Sequence, residues 1–451
     1  MGAVCFFGTI YWIYNSVTYY GHMNIALTLC LILLLSLYLG LYAGVFGILF
    51  LKTLRATRFP ALLLAPVFWV TLEFARSYLL TGFPWSSIGY SQFRFLYAIQ
   101  IADITGIYGI SFLVVAANGA FADIFITKKR RIEMPLFPTA WTIGGYMVYA
   151  LLIVFAFSYG YWRLHQHRPG HSVKISIIQG DIEQDKKWDI AYQDKVIRTY
   201  KDLTLKAAAS SPSLIIWPET SLPFYFGYDP GRSKDLVAFQ RSLNSYLLFG
   251  SVLVKSPPAN DRTALLSNSA VLLDKEGNIS YSYDKIHLVP FGEYVPLRRL
   301  FFPLDKLVAG IGDYVPGDRI IKADTPFGSF GAFICYEIAF PGLVRKFYSK
   351  GGDFMLNITN DAWFGNTAGP YQNFDMAVFR AIENRKPLLR AANSGISGYI
   401  DSNGRTIKTL PLFRRAYLNV DIKTDQSRSF YSKYGDIFSY ICIVTALLVL
   451  I

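Results

Sequence analysis

Charge is what this chain has least of. Only 17% of its 451 residues are charged, against 53% hydrophobic and 16% aromatic, whereas a soluble domain usually carries about 25%. Together with a mean hydropathy of +0.30, the shortage excludes both one large soluble enzyme and a disordered chain. It is also uneven. Residues 1–162 hold 9 Lys/Arg and 4 Asp/Glu, and residues 163–451 hold 35 and 27. The first third therefore reads as membrane, and the rest as a globular domain with an ordinary surface. The net charge of +13 divides as +5 and +8. No dense Lys/Arg tract carries interleaved aromatics, so nucleic acid is not expected as a partner, and anionic lipid headgroups are.

Cysteine and histidine are nearly as scarce. Cys5, Cys30 and Cys442 lie in apolar runs and leave Cys335 alone in the globular part, which excludes a disulfide framework. His22 precedes the second apolar run, and His165, His167 and His171 cluster at the join between the two parts. Only His287 is inside the domain, and there is no HExxH or CxxC. A His-based triad or a protein zinc site would have to rest on His287 alone, so neither a metal nor a cofactor is expected.

What is present in the first third is apolar length. A bilayer core of about 30 Å takes about 20 apolar residues as a helix. Candidate spans cover 3–19, 24–51, 60–80, part of 96–126 (too long for one straight span) and 139–162, with a short sixth over 437–451. The expected units are a membrane domain 1–162, a globular domain 163–436 and a terminal helix 437–451. Lys52, Arg55 and Arg58 follow the second span, and Lys128, Lys129, Arg130 and Arg131 follow the fourth. Both loops should be cytoplasmic, which puts the globular domain on the opposite face. The first span lacks a basic flank and a small-residue cleavage site, so it is expected to be retained. Glu73 and Arg76 sit three apart in the third span and are expected to neutralise each other locally.

In the globular part, apolar runs at 174–179, 214–217, 246–252, 268–273, 278–283, 330–335, 353–358, 387–392 and 417–422 read as strands. Stretches 192–209, 235–245, 339–350 and 373–384 read as helices, and DKEGN at 274–278 as a hairpin turn. Strands alternating with helices predict an α/β layered domain.

Three strand ends carry chemistry. WPE places Glu219 at a strand terminus; alone it could be an exposed loop carboxylate. In YDKIHLVPFGEYVP, Lys285 follows a strand and Glu293 comes eight residues later, which suits either a site or a surface ion pair. In FGAFICYEIAFP, Cys335 sits where a strand turns into a helix. There a nucleophile can meet backbone N–H groups able to hold an oxyanion, although a lone Cys also serves as a small buried hydrophobe. A thiol needs a base or a cation beside it to react. With histidine almost absent, a carboxylate and a lysine are what this domain offers.

WPE, DKIHLVPFGEYVP and CYE in this order resemble the nitrilase superfamily with its Glu-Lys-Cys triad. The multi-span start, FPWSSIGYSQ, QGDIEQDKKW and NITNDAWFG narrow the resemblance to the bacterial apolipoprotein N-acyltransferases, over essentially the whole chain. The resemblance implies a multi-span helical membrane domain joined to an αββα nitrilase-like sandwich. It implies Glu219 as general base, Lys285 as the lysine that stabilises the tetrahedral intermediate, and Cys335 as nucleophile. Glu293 would orient or balance Lys285. Tyr336 and Glu337 flank the nucleophile, with the Tyr336 N–H a candidate oxyanion donor. Asn360, Asp361, Trp363 and Trp188 would support the pocket or its loops.

The implied reaction moves a fatty acyl chain through a Cys335 thioester. The donor is a phospholipid, phosphatidylethanolamine being expected, and the acceptor is the amine of a lipoprotein's diacylglyceryl-cysteine. The implied setting is the bacterial inner membrane, as a monomer in the bilayer, with the catalytic domain on the periplasmic side. The family commonly has eight spans and this chain has room for six, the shortfall falling at the N-terminus, which keeps the topology parity. The aromatic segment 224–228 (FYFGY) is expected to be a mobile lid dipping into lipid. The competing classes are a membrane-tethered amidase acting on a soluble substrate and a membrane scaffold or transporter with an inert hydrolase domain.

Overall fold

Two β-sheets carry the C-terminal part of the computed structural model. It describes residues 1–57, 59–133, 139–166, 170–257, 264–294 and 313–451, with the backbone alone for 127–133, 139–142 and 313. The strands are β1 (Ser172–Gln179), β2 (Leu214–Ile216), β3 (Tyr246–Ser256), β4 (Leu265–Leu273), β5 (Ile279–Asp284), β6 (Asp313–Tyr314) and β7 (Ala323–Thr325). They continue as β8 (Gly328–Ile334), β9 (Phe354–Thr359), β10 (Leu388–Ala392), β11 (Gly398–Ile400), β12 (Thr406–Thr409) and β13 (Ala416–Lys423). One sheet has the order β13-β1-β2-β3-β4-β5 with β6 beside β4, and the other β12-β11-β10-β9-β8-β7.

The centre of each sheet is parallel and needs a crossover between neighbours. Helices Gln193–Ala208 and Pro230–Arg241 connect β1 to β2 and β2 to β3. Helices Pro341–Tyr348 and Gly369–Asn384 connect β8 to β9 and β9 to β10. Side-chain alternation sorts the layers. Leu214 and Ile216 of β2 join the core shared with the second sheet, where Ile334 and Leu356 lie. Ile215 and Trp217 pack outward on Val196, Tyr200 and Leu236 of the covering helices. The result is the αββα nitrilase-like sandwich expected from the sequence.

In the N-terminal part, Ile25–Ala56, Ile107–Ile126 and Ile143–His165 are long and apolar enough to cross a membrane. Ala61–Arg76 is shorter, about 24 Å at 1.5 Å per residue. Its first N–H groups, on Ala61 and Leu62, donate to the Asp123 carboxylate at 2.7 and 2.9 Å. That satisfies donors which lipid could not. The 96–126 stretch breaks as expected. Helices Leu96–Ile99 and Ala102–Thr105 precede Ile107–Glu133, and Gly106 turns the chain between them at φ +64°. Ile437–Leu450 closes the chain as a short apolar helix. Arg58 and the side chains of Lys128, Lys129, Arg130 and Arg131 lie outside the described residues.

One membrane expectation needs correction. The first span is not continuous. Helix Gly2–Thr9 is about 12 Å long, after which the chain turns through short helical pieces Ile13–Asn15 and Ser16–Tyr20. The reason is polar. Asn15 Nδ2 and Ser16 Oγ donate to the Trp363 carbonyl at 3.1 and 2.8 Å, so this segment docks on the globular domain. Glu73 and Arg76 do face each other, at 3.8 Å. However, Glu73 also accepts the Ile88 N–H at 2.8 Å, so the acid serves the loop after its helix as well as its neighbour.

Candidate active site

Glu219, Lys285 and Cys335 stand just past the ends of β2, β5 and β8, two from one sheet and one from the other. Each is held by local backbone. Gly250 of β3 runs directly behind Glu219, and a Cβ there would lie 2.6 Å from the Glu219 Cα and 2.4 Å from the Thr220 N. Only glycine allows that approach. The Lys285 N–H donates to the Asn268 carbonyl at 2.8 Å, which carries the β4–β5 ladder one step further. Cys335 opens the turn Cys335–Ala339 with φ +50°. A non-glycine residue in this left-handed region stores about 1–3 kcal/mol of strain and marks a geometry kept for its use.

The charges interlock. Lys285, 1% exposed, places Nζ 3.0 and 2.9 Å from the two Glu293 carboxylate oxygens and 3.6 Å from Glu219 Oε1. Asn268 Nδ2 donates to Glu219 at 2.7 Å and to Glu293 at 2.8 Å, so one amide bridges both acids. The Asn360 N–H donates to the other Glu219 oxygen at 2.8 Å, and the Val289 N–H to Glu293 at 2.8 Å. Burial alone would discharge Lys285, but Glu293 and then Glu219 outweigh it and hold its pKa well above the ordinary lysine value. The two carboxylates favour its charged form.

Cys335 behaves differently. Burial first, then the Glu219 charge, push its thiol up to about 12, with Lys285 and a hydrogen bond to Thr359 pulling the other way. At neutral pH the sulfur keeps its proton until a base removes it. His287 is not that base. Burial and then Lys285 push it down to about 4, and its ring lies on Phe340 with centroids 3.6 Å apart. A buried carboxylate, a fixed cation and a thiol on a strained turn can together attack a carbonyl carbon and hold the resulting oxyanion.

The supporting residues separate into groups. Glu293 and Asn360 touch the charge cluster directly. Asn360 also donates to Gln184 at 2.6 Å and accepts from Asn393 at 3.1 Å. Glu337 turns away from it. Its carboxylate accepts from Tyr283 Oη and the N–H groups of Ile286, His287 and Ile334 at 2.7–3.1 Å. It thereby ties the turn after Cys335 to the segment after Lys285, which makes it a brace. Asp361 pairs with Arg390 at 2.8 Å behind the site. The Tyr336 ring stacks on Trp85, centroids 6.2 Å apart. Trp188 is 37% exposed and packs on Tyr225. The Trp363 ring meets Tyr20 of the docked N-terminal segment.

Three participants escape the motif-based reading. Asn268 stands between Ser267 and Ser269 on β4, so the strand pattern gives no signal that singles it out. Gln184 and Lys187 lie inside QGDIEQDKKW. Lys187 is fully buried, and its Nζ donates to the Glu219 carbonyl at 3.3 Å. Burial pushes it down to about 8, against the pull of Glu219. The lid expectation fails for its main residues. Phe224 and Phe226 are buried in the core beneath the first sheet, Phe226 edge-on to Phe249 at 5.0 Å, and of the segment's aromatic residues only Tyr228 is well exposed, beside Gly227.

The family model described as carbon-nitrogen hydrolase matches residues 174–431, and that of the apolipoprotein N-acyltransferase N-terminal domain matches residues 1–120. An apolipoprotein N-acyltransferase of Geobacter metallireducens is 41% identical over 99% of this chain and 84% of its own length. One from Haemophilus ducreyi is 32% identical over 99% of this chain and 86% of its own length. Among solved structures, an amidase of the nitrilase superfamily from Nesterenkonia is 20% identical, covering 57% of this chain and 93% of its own, with a TM-score of 0.42.

Proposed function

This chain belongs to the apolipoprotein N-acyltransferase family, and from that premise we propose that it acylates lipoproteins in two steps through Cys335. In the first, Glu219 takes the thiol proton as sulfur attacks an ester carbonyl of a membrane phospholipid, phosphatidylethanolamine being the expected donor. Lys285 and the Tyr336 N–H hold the oxyanion. The C–O bond then breaks, the proton returns to the leaving glycerol oxygen, and a thioester and a lysophospholipid remain. In the second, the α-amine of a diacylglyceryl-cysteine attacks the thioester and Glu219 takes its proton. The C–S bond breaks, the amide forms, and the sulfur regains its proton.

The observation that carries this proposal is the cluster itself, in which Lys285 is shared by Glu219 and Glu293 beside a left-handed Cys335. A protonated resting thiol needs a base at the moment of attack, and Glu219 is the carboxylate within reach of both Lys285 and the thiol's field. Spanning helices keep the domain where both lipid substrates lie. The catalytic domain faces the periplasm of the inner membrane, with the basic loops on the cytoplasmic side.

Intact-mass measurement on the purified protein, given phospholipid as its only substrate, tests it. The wild type should gain one fatty acyl group and Cys335→Ala none. An active wild type that never gains the acyl mass would refute the thioester. Hydrolysis of a soluble amide without any adduct from lipid would move the assignment to a tethered amidase.

A further inference from the structure

The nucleophile turn is braced from two sides. Inside the sandwich, the Glu337 carboxylate takes four donors, as described above. On the membrane side the brace is aromatic. Tyr336, the residue after the nucleophile, stacks on Trp85 with an interplanar angle of 21°. Trp85 packs on Trp12 at 4.8 Å, and both rings pack on Phe364, at 5.8 and 4.7 Å. Trp12 comes from the turn after helix Gly2–Thr9, Trp85 from the loop after Ala61–Arg76, and Phe364 from the globular domain. Stacking sets no rotation within the ring plane by itself, so something else must orient the indoles.

That something is one side chain. Gln372, in the first turn of helix Gly369–Asn384, accepts both indole N–H groups on its single oxygen, from Trp85 at 2.7 Å and from Trp12 at 3.0 Å. Its amide nitrogen donates to the Thr9 carbonyl at 3.1 Å, at the end of helix Gly2–Thr9. Three segments distant in sequence therefore meet on one amide. Trp85 is fully buried, so an indole N–H deprived of this acceptor would have no water to turn to, and the ring would rotate to find a partner. Rotation of Trp85 releases Tyr336, whose backbone N–H is the proposed oxyanion donor.

We infer that Gln372 is a positioning residue for acyl transfer: it locks the Trp12–Trp85 pair and thereby aligns the Tyr336 backbone with the developing oxyanion. The inference rests on the thioester chemistry proposed above, and it makes the N-terminal segment part of the catalytic apparatus rather than an anchor alone. Gln372→Met keeps the length of the side chain and removes the acceptor. Gln372→Glu keeps an acceptor oxygen for both indoles.

The test follows the rate of Cys335 acylation by intact mass in single-turnover reactions with phosphatidylethanolamine in detergent micelles, together with thermal unfolding of each full-length variant. Gln372→Met should slow acylation about tenfold or more, the loss expected from two hydrogen bonds made to one atom. Gln372→Glu should recover most of that loss. Trp85→Phe should show the same defect, and combining it with Gln372→Met should add little, because both break one link. Acylation of Gln372→Met at the wild-type rate, no recovery in Gln372→Glu, or multiplying losses in the double variant would each overturn the inference. A wild type that never acylates would instead reject the thioester proposal and is read separately. A Gln372→Met chain that unfolds early while Gln372→Glu melts and acylates normally still supports the acceptor role; early melting of both variants assigns Gln372 to folding and overturns it.

Discussion

The two ends of one helix, Gly369–Asn384, meet the membrane part in opposite ways. At its start Gln372 meets aromatic rings. At its end the contacts are ionic. Glu383 accepts the Ile107 N–H at 3.0 Å, capping the helix that begins there, and Arg380 donates to Glu383 and to the Tyr90 hydroxyl. Just past the helix, Arg385 at φ +53° reaches Asp103 at 2.8 Å and also bonds to Gln100 and Asn403. Arg163, from the helix Thr139–His165, meets the same aspartate at 2.7 Å. A buried charge is costly unless paired and hydrogen-bonded, so the ionic end permits very few arrangements and fixes how the two parts sit. The aromatic end is bound by weaker, shape-dependent contacts, and it abuts the turn that carries Cys335. The comparison teaches a division of labour. The ionic joint should register mainly in stability, and the aromatic joint mainly in rate.

The strongest way to break that division is Arg385→Met. It leaves Asp103 buried with Arg163 as its remaining arginine, and removing one partner of a buried pair costs about 3–5 kcal/mol. The detergent-solubilised protein should unfold at a markedly lower temperature, while the molecules still folded acylate Cys335 at near the wild-type rate. A large rate loss at unchanged stability would reverse the roles of the two ends.

Lys187 offers a second measure of stability, this one away from both joints. Burial holds its pKa at about 8 against an ordinary 10.5. Below pH 8 both folded and unfolded chains keep the proton. Between 8 and 10.5 the unfolded chain holds more of it, so the stability of the wild type relative to Lys187→Met should rise with pH across that window. The slope should reach up to about 1.4 kcal/mol per pH unit. A flat or falling difference in chemical-denaturation midpoints would show that burial does not hold Lys187 below its ordinary pKa.

Two rate effects sharpen the other side. Glu293→Gln removes the closer carboxylate of Lys285 and keeps a single oxygen, for either the Asn268 amide or the Val289 N–H, which bond different oxygens of the acid. Acylation should fall about tenfold or more, with a smaller drop in melting than Arg385→Met shows, since the Lys285 bond becomes a neutral one and one of the two donors loses its acceptor. The smallest effect belongs to the aromatic joint. Trp12→Phe keeps the ring and deletes one N–H, worth about 1 kcal/mol or roughly fivefold in rate. If Trp12→Phe lowered the melting temperature as far as Arg385→Met, the two ends would not differ in kind.

Much of this was legible along the chain because it is local. The charge shortage of residues 1–162, the alternating strands, and the polar residues that end β2, β5 and β8 are properties of short windows. So was the elimination that left Cys335 as the one thiol outside the apolar runs. The charge cluster was half legible. Glu219, Lys285 and Glu293 stand in their motifs, but Asn268 looks like any polar residue on a strand. Only the register of β4 against β5 puts its amide between two carboxylates. Phe224 and Phe226 resembled a lid because an aromatic run is ambiguous: the same residues suit lipid or core, and packing against Phe249 chose core.

The sequence by itself determined which segments avoid water, which ends of strands carry reactive groups, and which thiol is the candidate nucleophile. Those follow from hydropathy, periodicity and turn chemistry, each acting over a few residues. The tertiary structure alone decided that the first apolar run breaks and docks by Asn15 and Ser16, that Asp103 answers to Arg163 and Arg385, and that Gln372 gathers Trp12 and Trp85. These pairings join residues tens to hundreds of positions apart. A buried donor or charge must find some partner, and which partner it finds is set only when the packed layers bring the two together.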